Sequence, residues 1–264
     1  MTTIPMWQVD AFADRPFTGN PAAVCPLEAW LPDATLQAIA AENNLAETAF
    51  YVPAPTGADH DFHLRWFTPG VEIDLCGHAT LAAGHVLWRH RGFTGASVRF
   101  QSKSGILTVA RDGERYALDF PSRPPRPVAV PAGLADALGA APRAVLAARD
   151  LVCVFDRQAD VAALAPDMVA LARVDTFAVT ATAPGDAHDY VLRFFAPRAG
   201  IPEDPVTGSA QTSLLPYWAG VLGRDALVGR QISARGGTLW CRLRGDRVDI
   251  AGTCADYLAG TITV

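Results

Sequence analysis

The sequence predicts an α+β protein of two pseudo-symmetric domains, each a mainly β sheet wrapped around one central helix. Three observations carry that expectation. First, the chain repeats itself: His60-Asp-Phe-His-Leu-Arg-Trp-Phe-Thr-Pro69 returns as His188-Asp-Tyr-Val-Leu-Arg-Phe-Phe-Ala-Pro197, with six of ten positions identical at an offset of 128. Second, two further blocks follow in the same order. Cys76-Gly-His-Ala79 aligns with Thr207-Gly-Ser-Ala210 at an offset of 131, and Gly105 to Arg115 aligns with Gly237 to Arg247 at 132. Third, 264 residues accommodate two units of that size, whereas solenoid repeats run only about 20–50 residues.

Taken in order, Val9–Phe12, Thr48–Val52 and His63–Phe67 read as strands from their β-branched and aromatic content. Ala79–Arg91 reads as a helix that is small or apolar on nearly every face to Trp88, hence buried, with Gly92 as its C-terminal cap. Ala110–Glu114 is a glycine-centred hairpin. Four prolines in the seven residues Pro121–Pro127 exclude helix and central strand. They mark the join between domains 1–120 and 121–264, with the last strand allowed to return to the first. In the second half, Tyr190–Phe195 is a strand, a helix starts near Ser209, Pro216 should kink or end it, and Leu243–Asp246 is a second hairpin.

Composition excludes several classes. Half the residues are hydrophobic and 19% are charged, which suits a packed core rather than disorder. A net charge of −5 offers no broad basic surface for nucleic acid. No run approaches the roughly 18–20 apolar residues of a membrane span, and the first ten residues lack the pattern of a secretory signal. Five cysteines (Cys25, Cys76, Cys153, Cys241, Cys254) are odd in number and never paired as CxxC, the pattern of free thiols in a reducing compartment. A cytoplasmic protein without membrane or nucleic-acid partners is expected.

Chemistry is expected where the two buried helices begin. A helix N-terminus offers unpaired N–H groups and the positive end of its dipole, which together favour an anion such as a metabolite's carboxylate. If the two domains face each other, both starts converge on one cleft. His78 stands at the first start, where the dipole should push its pKa down, either to bind substrate and shuttle protons or to serve as a capping or core histidine. Ser209, its counterpart, reads most simply as an N-cap. Asp204 precedes a proline, which favours extended geometry, and reads as an ordinary turn opener. Glu47 abuts an apolar strand, where a carboxylate suits general acid/base work or ends a strand in solvent. Two opposed thiols would make a cofactor-free racemase, but the partner of Cys76 is Thr207, so that mechanism is excluded and Cys76 reads as a plain buried residue. There is no G-x-S-x-G, Walker A or H-E-x-x-H motif. His60 and His63 should point to opposite faces of a strand, which argues against a metal there.

These motifs together resemble a known family. Val9 to Val24, Glu47-Thr-Ala-Phe50, Phe67-Thr-Pro69, Asp74-Leu-Cys-Gly-His-Ala-Thr80 and Glu203-Asp-Pro-Val-Thr-Gly-Ser-Ala210 are similar to the PhzF-like isomerases of phenazine biosynthesis. The resemblance implies a diaminopimelate epimerase-like fold: two halves, each a β-barrel-like sheet around a central helix, with the active site between them. It implies a homodimer that isomerises a small cyclic carboxylate or amino acid, in the phenazine enzyme trans-2,3-dihydro-3-hydroxyanthranilate, by moving a proton without metal or organic cofactor. Glu47 would take up and return the proton. His78, Asp204 and Ser209 would hold the substrate and assist delivery, and the N–H groups at Gly77 and Gly208 would grip its carboxylate. Ser233-Ala-Arg-Gly-Gly237 departs from the family's Gln-Gly…Met-Gly-Arg-Pro pattern, which bears on substrate choice. The alternatives are an epimerase or racemase pairing Glu47 with a second base, and a non-catalytic metabolite-binding protein.

Overall fold

The strand-forming runs of the N-terminal portion become β1 (Thr3–Ala11), β2 (Asn20–Pro26), β3 (Glu47–Pro53), β4 (Phe62–Phe67) and the two-residue β5 (Glu72–Ile73). Helix α1 (Asp33–Asn43) lies between β2 and β3, and α2 (Gly77–His90) follows β5. Three further strands complete this region: β6 (Ser97–Ser102), β7 (Gly105–Asp112) and β8 (Arg115–Pro121). The structure, a computed structural model, describes residues 1–264 and divides into two units: Met1–Asp119 with Ala251–Val264, and Phe120–Ile250.

Pairing in the first unit follows the sequence pattern. Antiparallel β1–β2 leads into a parallel β2–β3 ladder, then antiparallel β3–β4 and a parallel β4–β6 contact. A parallel neighbour needs a crossover, and α1 and α2 supply one each. Residues His78–Leu87 of α2 are all buried, as expected of a helix without a polar face. Its backbone ends as foreseen, with the Arg91 N–H on the Leu87 carbonyl and Gly92 at φ +68°.

The second unit repeats the plan with shorter elements. It begins with the edge pair β9 (Arg126–Pro127), then α3 (Leu134–Leu138), β10 (Ala144–Ala147) and β11 (Leu151–Val154). Short α4 (Gln158–Ala162) and α5 (Met168–Leu171) precede β12 (Val179–Pro184), β13 (Tyr190–Ala196) and β14 (Ile201–Asp204). Helix α6 (Gln211–Leu222) is followed by β15 (Ala226–Gln231), β16 (Gly237–Arg244) and β17 (Arg247–Gly252). The ladder β11–β12 is parallel and β12–β13 antiparallel, the same order of senses as β2–β3–β4. The hairpins turn through Gly113 and Gly245, both at φ +62°, a region that a side chain would strain.

One expectation needs amendment. Pro216 neither ends nor breaks α6, which runs on to Leu222. Its missing N–H would have met the Thr212 carbonyl, and the Arg123 N–H takes that place at 2.8 Å. The proline-rich segment thus supplies the bond that a helix proline removes. The last strand, β18 (Cys254–Thr263), pairs antiparallel along the whole of β1, so residues 251–264 group with the first unit, the return that the sequence reading allowed.

The repeat extends to side chains. Arg65 grips Glu72 through two hydrogen bonds of 2.8 and 2.9 Å and lies over the Phe67 ring. Arg193 grips Glu203 through two of 2.8 Å and lies over the Phe195 ring. No helix is long and apolar enough to cross a membrane.

Candidate active site

Glu47 is the first residue of β3, opposite Ala22 of the parallel β2, and its side chain is buried. Cys76, extended at φ −142°, is the N-cap of α2, so Gly77 and His78 form the helix's first turn, where backbone N–H groups have no partner within the helix. The fold brings the first two together: His78 Nε2 lies 2.9 Å from Glu47 Oε2. Beyond this ion-pair contact neither atom has a further hydrogen-bond partner, although both residues are only 7% exposed. On the other side of the ring, Cys76 Sγ is 3.6 Å from His78 Nδ1.

The expected downward push on His78 is reversed. Burial does press the imidazole towards its neutral form, but the Cys76 sulphur and the Glu47 carboxylate outweigh it and hold His78 well above its ordinary value. Two close partners in a buried place exceed the partial charge of one helix end. Burial, with the charge of Glu47, pushes the Cys76 thiol up. Cys76 is buried, as the sequence reading had it, and stands at one end of a buried Cys–His–Glu row.

In the second unit, Asp204 closes β14 and accepts a hydrogen bond from the Thr207 hydroxyl. Gln231, fully buried at the end of β15, pins this loop: its Oε1 accepts the Thr207 N–H at 2.8 Å, and its Nε2 donates to the Asp204 carbonyl at 2.6 Å. Ser209 is not an N-cap. The cap of α6 is Ala210, with no side-chain bond. Tight i→i+3 bonds from Gln211 to Gly208 (3.0 Å), Thr212 to Ser209 (3.2 Å) and Ser213 to Ala210 (3.1 Å) take up the donors that a capping hydroxyl would satisfy. Gly208 and Ser209 therefore form the turn before the helix rather than its first residues.

The register shows where the halves differ. Thr48 pairs with Phe67 and Val179 with Phe195, and the two phenylalanines are repeat partners, so Ala178 occupies the place of Glu47. The second unit has no carboxylate there. Sequence reasoning missed Gln231, whose partners lie 24 and 27 residues away, and for which a buried amide at a strand end is the only local signal.

Two groups have donor atoms close enough to share a cation: Glu47, Cys76 and His78, and separately His85, His90 and Asp256. The expectation that His60 and His63 diverge is also corrected. His60 precedes β4, where strand alternation does not apply, and the two Nε2 atoms are 3.0 Å apart. A cavity of about 840 Å³ in the first unit, lined in part by Ile4, Leu27, Tyr51 and Phe93, contains none of the predicted site residues.

Comparisons with known proteins agree on one kinship. Residues 9–260 match the family model PhzC-PhzF, described as phenazine biosynthesis-like protein. An uncharacterized isomerase of Pseudomonas aeruginosa is 52% identical over 259 residues, covering 98% of each chain. A crystal structure of a phenazine biosynthesis protein of the PhzF family from Enterococcus faecalis superposes with TM-score 0.96 at 43% identity, covering 100% of both chains. A hydroxyproline epimerase from Agrobacterium vitis shares the fold at TM-score 0.61 and 12% identity, covering 98% of this chain and 92% of its own.

Proposed function

The chain belongs to the phenazine biosynthesis-like PhzC-PhzF family, and from that premise we propose that it is an isomerase that moves a proton within a small carboxylate-bearing metabolite, with Glu47 as the base. The observation that carries the proposal is the buried contact of 2.9 Å between Glu47 Oε2 and His78 Nε2, both without a further hydrogen-bond partner. Buried polar atoms are normally satisfied, and an open pair costs stability unless a ligand completes it.

Glu47 removes a proton from a carbon activated by neighbouring unsaturation. The electron pair shifts along the substrate, and the same carboxyl returns the proton to another carbon. With His78 held as an imidazolium, neutralising Glu47 leaves a positive charge beside the developing carbanion, which offsets it where water is excluded. The N–H groups of Gly77 and Gly208, with Ser209 and Asp204, are the proposed holders of substrate. A small cyclic carboxylate or amino acid is the proposed substrate class and a homodimer the proposed assembly.

One base favours isomerisation over epimerisation, which needs a donor on the opposite face. The test is solvent-deuterium exchange on a panel of cyclic amino and hydroxy acids. Glu47→Gln should stop label entering a substrate that the wild type turns over, and undiminished exchange would remove Glu47 from the role. A shift in the ultraviolet spectrum marks a moved double bond; product inverted at one centre without such a shift would favour an epimerase.

A further inference from the structure

Outside this centre, the C-terminal end of α2 gathers a second set of ligating side chains. His85 Nε2 and His90 Nε2 both point at one oxygen, Asp256 Oδ1 of β18, at 2.9 and 3.0 Å. The donor atoms of all three lie within 4.8 Å of one another. We propose that His85, His90 and Asp256 form a binding site for a divalent transition-metal cation.

The spacing suits the chemistry. Metal–nitrogen and metal–oxygen bonds of about 2.1 Å put neighbouring ligand atoms about 3 Å apart in an octahedral shell and about 3.4 Å in a tetrahedral one, against 2.9 and 3.0 Å on the two histidine–aspartate edges. Two imidazoles and one carboxylate select zinc, cobalt or nickel over magnesium or calcium, which prefer all-oxygen shells.

Each ligand is also held from behind. His85 is buried, and its Nδ1 sits 3.0 Å from the Tyr116 hydroxyl, the outer partner that fixes ring orientation and leaves Nε2 for a metal. The His90 ring stacks on Trp7 at 5.5 Å with planes 20° apart. Asp256 is 39% exposed at its side chain and His90 25%, so water can complete the coordination from solvent. The site lies at the helix end where partial negative charge favours a cation. Arg89 is the nearby opposing charge, extended from the same turn.

A cation here would tie β18 to α2, so binding has a readout apart from turnover. Tag-free protein is titrated with zinc, cobalt or nickel chloride by calorimetry, and unfolding is followed with and without metal. One equivalent per chain is expected, with a higher melting temperature. His90→Ala and Asp256→Asn, both at partly exposed positions and both checked for folding by circular dichroism, should each weaken binding at least tenfold and abolish the thermal shift. The proposal is overturned if no saturable binding occurs, or if both folded variants bind as the wild type does, which would place the cation at Glu47, Cys76 and His78. Variants that melt earlier than a wild type indifferent to metal would also overturn it, leaving a hydrogen-bonded clasp.

Discussion

The two helix starts descend from one repeated segment and have been put to different uses. In the first unit the carboxylate arrives from a neighbouring strand, and Glu47 faces His78 with both reactive atoms open. In the second the carboxylate lies in the same loop as the turn, and Asp204 is tied to Thr207, with Gln231 holding both. The first arrangement is a buried carboxylate–imidazole contact, the proposed acid–base pair; the second is a braced turn. The repeat supplies two similar frames, and they differ where Glu47 stands against Ala178 and His78 against Ser209.

The sharpest way to break this contrast is to remove the base. Glu47→Gln should lower kcat by about 10²–10⁴-fold, the usual worth of a general base, measured by deuterium exchange. A fall of the same size in Asp204→Asn with no change in KM would erase the distinction between the units.

His78→Asn should cost about tenfold to a hundredfold and should reshape the pH profile. The folded value of His78 is raised, so its stabilising charge is complete below the ordinary histidine pKa of about 6.5 and is lost as pH rises through the raised value. Wild-type activity should therefore fall on the alkaline side, and that limb should vanish in the variant. An unchanged alkaline limb would assign it to another group.

The paired ion clamps test how far the symmetry reaches. Hydrogen bonding from Arg65, against the opposing effect of burial, holds Glu72 at about 2. Its contribution is present above the ordinary carboxylate range and is lost as pH falls towards 2. Glu72→Gln should destabilise by about 2 kcal/mol at neutral pH, and its melting curve should converge with the wild type's in acid. Glu203→Gln should destabilise likewise if the second clamp is equivalent.

The smallest effect is expected at Ser209→Ala, roughly a tenfold rise in KM with kcat nearly kept, about one hydrogen bond. A drop in kcat alone would move Ser209 into the proton path.

What the sequence revealed follows the range of the interactions involved. The buried α2 was legible because ten consecutive residues lack a polar face, and the hairpins because glycine alone suits their φ. The candidate residues were found through the repeat and a family likeness, yet how they meet was not. The charge state of His78 depends on Cys76 close by and on Glu47, 31 residues earlier, and the role of Pro216 depends on Arg123, far back in the proline-rich segment. Local periodicity carries no trace of such partners. His60 and His63 were misjudged for a simpler reason: His60 lies outside the strand, where alternation of faces does not apply.

The return of β18 to β1 has a consequence for biosynthesis. The second unit is one uninterrupted stretch, Phe120–Ile250, whereas the first needs Ala251–Val264, which follow it along the chain. On the ribosome the second unit can close while the first still waits, with β1 exposing an unpaired edge. The unit translated first is the last to be finished, and the candidate base Glu47 sits within it.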